Sequence, residues 1–197
     1  MEEKIVYFDK PGKENTDEVL RIASRRAKEL GIKNIVVAST TGATAVKAMD
    51  ALKGLRVVIV THSFGFREAN TQEFTEENRK LVESKGGTIL TAAHAFGGIS
   101  RSMGQGSIPE APATYIIGDL VALTLRVFGQ GTKVACEIAT MATDAGLVRT
   151  DEDVIAIAGT GSVAAGRGAD AAVVIQPAPS HRFFDTQVKE VLCKPRL

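Results

Sequence analysis

Ser39, Thr40 and Thr41 place three hydroxyls between an uninterrupted β-branched run, Ile35-Val36-Val37, and a helix-forming segment that opens at Gly42-Ala43-Thr44. A strand leading through a hydroxyl-glycine turn into a helix start forms an anion seat. Free backbone N–H groups and the positive end of the helix dipole point outward there, and Ser and Thr add donors. The chemistry expected of Ser39, Thr40, Thr41, Gly42 and Thr44 is the holding of a phosphate. The plainer alternative is that Ser39 to Thr41 only cap a helix.

Two further groups of residues have types suited to a ligand. His62-Ser63-Phe64-Gly65-Phe66 follows one apolar run, and His94-Ala95-Phe96-Gly97 echoes it after the next. At the carboxyl ends of parallel strands, where doubly wound folds bind ligands, His62, Phe64, Gly65, Phe66, His94 and Phe96 could surround a flat heteroaromatic ring. Equally, the phenyl rings could seal their loops to the core. Gly159-Thr160-Gly161-Ser162-Val163-Ala164 matches the dinucleotide pattern G-x-G-x-x-G/A. That pattern requires a following helix, and none fits before the next apolar run at 171. Gly159, Thr160, Gly161, Ser162 and Arg167 read instead as a loop that approaches an anion closely, or as a tight hairpin with no other duty. Arg101, between Ser100 and Ser102, is another anion candidate. No metal-ligand cluster, nucleophile elbow or carboxylate pair stands out, so no catalytic residue is assigned.

The elements that must position these residues follow from periodicity. Val19, Leu20, Ala23, Ala27 and Leu30 give helical spacing over 16–30, and helices are also predicted at 43–52 and 76–85. Strands are predicted at 34–38, 56–61 and 88–92. This alternation implies a mainly parallel sheet with helices on both faces. Residues 93–112 read as a long loop, followed by helices at 113–128 and 131–145. The first is apolar nearly all round, suiting deep burial or a contact between copies of the chain. The second carries Lys133, Glu137, Thr140 and Asp144 in one stripe, expected to face solvent, with the lining of a site as the alternative. Strands 154–158 and 171–175 lie too close for a crossover, so they form a hairpin that makes one edge strand antiparallel. Residues 188–193 suggest a short final strand.

Bulk properties narrow the class. The chain has 197 residues, 44% hydrophobic and 24% charged, with a net charge of +1, so one soluble globular domain is expected over 1–197. No basic run points to nucleic acid or a membrane surface. Cys136 and Cys193 are far apart and without zinc spacing, Cys136 reads as a core residue, and the polar start resembles no signal peptide. A reducing cytoplasmic location is expected.

From about residue 16 to 176 the order of elements resembles the C-terminal domain of pyruvate kinase. Ser39-Thr40-Thr41-Gly42-Ala43-Thr44 stands where that domain carries a Ser/Thr-Gly loop that often holds a phosphate of an allosteric sugar bisphosphate. The hairpin of Val154–Ala158, Gly159–Gly168 and Ala171–Ile175 is similar to that domain's ending. The enzyme's catalytic barrel has no counterpart in this sequence, so the resemblance implies no kinase activity. The long loop at 93–112 and the tail at 180–197, with Phe183-Phe184-Asp185, Val188-Lys189-Glu190 and Cys193-Lys194-Pro195-Arg196, resemble a family of small, mostly archaeal stand-alone proteins of this type.

Membership of that family implies an α/β three-layer sandwich and association with flavin mononucleotide (FMN). The expected function is therefore binding of a phosphorylated small molecule, FMN foremost, with the phosphate at 39–44 and the protein working as a small flavoprotein if the flavin is redox-active. The alternative is a regulatory module that binds a sugar phosphate or nucleotide without catalysis. An oligomer built through the 113–128 helix is compatible with either.

Overall fold

The computed structural model describes residues 3–98, 101, 116–161 and 166–196. Seven strands form one mixed sheet: β1 (Val6–Phe8), β2 (Asn34–Ala38), β3 (Arg56–Val60), β4 (Thr88–Leu90), β5 (Val154–Ala158), β6 (Ala171–Gln176) and β7 (Gln187–Pro195), in the order β1-β7-β6-β5-β2-β3-β4. Five α-helices accompany them: α1 (Thr16–Leu30), α2 (Ala43–Ala51), α3 (Glu76–Ser84), α4 (Ile117–Arg126) and α5 (Gln130–Asp144).

Strand alternation divides the core into two layers. Ile35, Val37, Ile155 and Ile157 point to one face, where they meet Val19, Leu20 and Ala23 of α1 and Ala45 and Ala48 of α2. Val36, Val58, Ala156 and Val173 point to the other, against Ala135, Ala139 and Ala142 of α5. Period-two side chains on a strand buried on both faces produce this division. The alanines let α5 lie close to the middle of the sheet.

The parallel strands β5, β2, β3 and β4 end at the same edge, Val36 pairing with both Val58 and Ala156. The ladder continues past their ends, with Ser39 N donating to Val60 O at 3.0 Å and Thr61 N to Leu90 O at 2.9 Å. The loops expected to carry ligand residues thus leave from one rim.

Three expectations change. The antiparallel strand β6 lies inside the sheet, bonded to β5 and to β7, because β7 is nine residues long and pairs onward with β1. Lys133, Glu137 and Thr140 do not face solvent: each is buried, and only Asp144 of that stripe is exposed. Helix α5 is covered on one side by the sheet and on another by α4 and neighbouring loops, so its polar stripe is enclosed. Deep burial of the apolar helix fails as well. In α4 and the turn after it Ile117 is 76% and Val127 81% exposed, and within the helix only Ala122 is buried. Residues 99, 100, 102–112 and Ser162 fall outside the described residues. No helix among those described is long and apolar enough to cross a membrane.

Candidate functional site

The start of α2 is built by a glycine. Gly42 has φ 101°, a left-handed conformation that turns the chain from β2 into the helix. Ser39 Oγ accepts from Ala45 N at 3.3 Å, a capping bond reached from three residues before the turn. Thr41 O accepts from Thr75 N at 3.2 Å and from Asn78 Nδ2 at 3.0 Å, so the start of α3 braces the loop from behind. Ser39, Thr40, Thr41 and Thr44 all line a cavity of about 240 Å³. Gly42 does not line it but sets the turn.

The β3 and β4 loops furnish the opposite side. His62, Phe66, Arg67, His94 and Arg101 line the cavity. The Phe66 and His94 rings stack at 4.8 Å between centroids, 5° from parallel, and the Arg101 guanidinium lies 4.8 Å from the Phe66 centroid. Burial is the main reason His94 is pushed down to about 4, with Glu137 opposing the shift, so its ring is neutral at pH 7. The expected Phe64, Gly65 and Phe96 lie elsewhere. Phe64 is 62% exposed, and Gly65 turns the loop by donating to Thr71 O at 2.8 Å. Phe96 is buried in the core, edge-on to Phe183.

The hairpin loop closes the crevice through Gly159, Thr160, Gly161, Arg167 and Gly168. A Cβ at Gly159 would come 1.8 Å from Gly168 O, so the loop's close approach to itself already requires that glycine. The loop is thus a tight turn whose described residues also form part of the cavity wall. Beneath it, the fully buried Asp170 accepts from Gly12 N and Thr160 N at 3.1 Å, and burial raises its carboxyl.

Sequence reasoning missed several residues of this site. Glu73 binds three partners from two loops: His62 Nδ1 at 2.7 Å, Arg167 Nη1 at 2.9 Å and Arg67 Nε at 3.1 Å. Burial pushes its carboxyl up, but the hydrogen bonds from His62 and Arg167 outweigh it and hold the group below its ordinary range. Lys133 and Glu137 form a buried i,i+4 ion pair on α5, and Glu137 Oε1 also accepts from Phe96 N at 3.1 Å. The stripe spacing on α5 was the signal for these two. Nothing in the local sequence marked Glu73. Arg126 and Gln130 complete the α4–α5 side, bonded to each other at 2.7 Å.

Fold and site together define a three-layer α/β protein with a polar cavity at the carboxyl ends of its parallel strands. The chain belongs to the pyruvate kinase alpha/beta domain family, whose model matches residues 17–175. Among solved structures, a Cryptosporidium parvum pyruvate kinase in complex with ADP is similar over 81% of this chain and 23% of that one, at 11% identity and a TM-score of 0.38.

Proposed function

We propose that the cavity binds a phosphorylated small molecule, with the phosphate at the start of α2. One observation carries this reading: the charge of the lining. Arg67, Arg101, Arg126, Lys133 and Arg167 line the cavity. Among its described lining residues the one carboxylate is Glu137, committed to Lys133 and the Phe96 amide, while Glu73 pairs with Arg67 and Arg167, so cations still outnumber carboxylates. A cleft lined by an excess of cations and opened at a helix start concentrates anions. Arginine forks suit phosphate oxygens in particular.

FMN is the first ligand to test. The absorbance spectrum of the purified protein, and the mass of whatever denaturation releases, decide it. Flavin bands and the mononucleotide mass support a flavoprotein, and nicotinamide-dependent reduction then tests a small oxidoreductase. A colourless protein that takes up no added FMN removes the flavin.

A sugar phosphate is the second reading, and two observations favour it. Phe66 is already stacked against His94 and capped by Arg101, which engages the aromatic groups with each other. The volume of about 240 Å³ is also below the roughly 300–1,000 Å³ common for larger organic ligands. Saturable stabilisation by sugar phosphates in a thermal-shift screen, without flavin uptake, is the expected result. Self-association through Ile117, Leu120 and Val127, exposed on and just after α4, belongs to this proposal, and mass in solution tests it.

A further inference from the structure

Two imidazoles that phosphate binding does not call for, His62 and His94, line the same cavity, and Glu73 is bonded to His62. The Glu73 carboxylate holds His62 by Nδ1 at 2.7 Å, leaving Nε2 as the free nitrogen of a ring that lines the cavity. Arg67 and Arg167 share the other oxygen of Glu73 and fix its plane. The His94 ring centroid lies 5.4 Å from that of His62, tilted by 48°. His94 Nε2 is buried without a hydrogen-bond partner among the described residues. A carboxylate-oriented imidazole beside a second imidazole, within a cationic cavity, is the equipment of proton transfer rather than of passive binding.

We propose that this cavity is an active site for enolisation of a phosphorylated hydroxy-carbonyl compound, with His62 as the base and His94 as the hydrogen-bond donor to the carbonyl oxygen. The inference rests on the phosphate-binding reading and goes beyond it by assigning a reaction. With the phosphate at the start of α2, the carbon next to the carbonyl loses its proton to His62 Nε2. The C–H electron pair becomes the carbon–carbon double bond, and the carbonyl π pair moves to oxygen, which takes a proton from His94. Return of the proton from His62 to the neighbouring carbon, and of the second hydroxyl proton to His94, completes an aldose–ketose interconversion. One carbon is oxidised and its neighbour reduced within the same molecule, so no external oxidant or reductant is needed. His94 is suited to its part because a neutral imidazole, unlike an imidazolium, polarises a carbonyl while remaining able to regain its proton. Glu73 is a positioning residue: it orients the His62 ring and balances the charge that builds on it.

The test is hydrogen exchange into three- to six-carbon aldose and ketose phosphates in deuterium oxide, run beside calorimetric binding of inorganic phosphate. The wild-type protein is expected to bind phosphate and to place deuterium at the carbon beside the carbonyl of at least one sugar phosphate. His62→Gln keeps a donor for Glu73 and should lower that exchange about a hundredfold or more, with phosphate affinity and melting temperature close to wild type. Glu73→Gln should lower the rate and also move the pH at which it is half-maximal, which a purely structural loss would leave in place. Phosphate binding without exchange in any sugar phosphate overturns the enolisation and leaves the binding reading standing. Wild-type exchange by a folded His62→Gln variant likewise overturns it. Absence of phosphate binding overturns both.

Discussion

Asn78 and Gly42 fit against each other at the turn into α2. The Asn78 Nδ2 group donates to Thr41 O at 3.0 Å, and a Cβ on residue 42 would lie 2.4 Å from the Asn78 Cβ. The turn into α2 thus depends on a missing side chain in one element and a polar one in another. Gly42→Ala should destabilise the protein by about 1–3 kcal/mol, through the strain at φ 101° and the displacement of Asn78. Denaturant midpoints check it. Part of the penalty should vanish in an Asn78→Gly background, which removes the Cβ that would clash.

Thr44→Val replaces a cavity-lining hydroxyl in the first turn of α2 with a methyl of the same shape. Loss of one charge-assisted hydrogen bond to phosphate should cost roughly 1.5–3 kcal/mol, about ten- to a hundredfold in affinity. The melting temperature should hardly move. Calorimetry with inorganic phosphate measures the change, and an unaltered dissociation constant would place the phosphate elsewhere.

His94 sets a pH window for stability. Its ordinary value is 6.5, and burial brings it down to about 4 in the folded protein. Between these values the unfolded chain binds a proton that the native state refuses. Stability is therefore full above pH 6.5 and falls as the pH drops towards 4. The loss is of the order of 3 kcal/mol. Urea unfolding at a series of pH values should show this slope, and His94→Gln should flatten it.

Asp170→Asn tests the support under the hairpin loop. The carboxylate receives N–H groups from Gly12 and Thr160 with no solvent exposure. An amide can satisfy one of them well and presents its own N–H to the other. A loss of roughly 2–3 kcal/mol is expected from the denaturant midpoint. Phosphate affinity should fall too, because Thr160 and Gly161 line the cavity.

Much of this architecture is legible along the chain. The apolar, largely β-branched runs at 35–37, 57–60 and 154–157 are strands buried on both faces, and the apolar spacing of residues 19–27 is the inner face of α1. A local repeat of period two or near 3.6 reports burial on its own, because each side chain's direction follows from the backbone geometry of its element. The hydroxyl-glycine turn is legible for the same reason: strand, turn and helix start are contiguous.

Other features are set by packing between distant segments. The stripe of Lys133, Glu137 and Thr140 has the spacing of a solvent-facing surface, yet it is enclosed once α4 and the β4 loop cover α5. Strand β6 lies inside the sheet because β7 reaches past it to β1, a pairing between segments more than 180 residues apart. Glu73, isolated in sequence, becomes the shared partner of His62, Arg67 and Arg167 when two loops meet at the same rim. The chain's own periodicity determined its strands, its helices and the turn at Gly42. The cavity and its charge were decided by the tertiary structure, since Coulomb and hydrogen-bond energies depend on distance in space and not on separation along the chain.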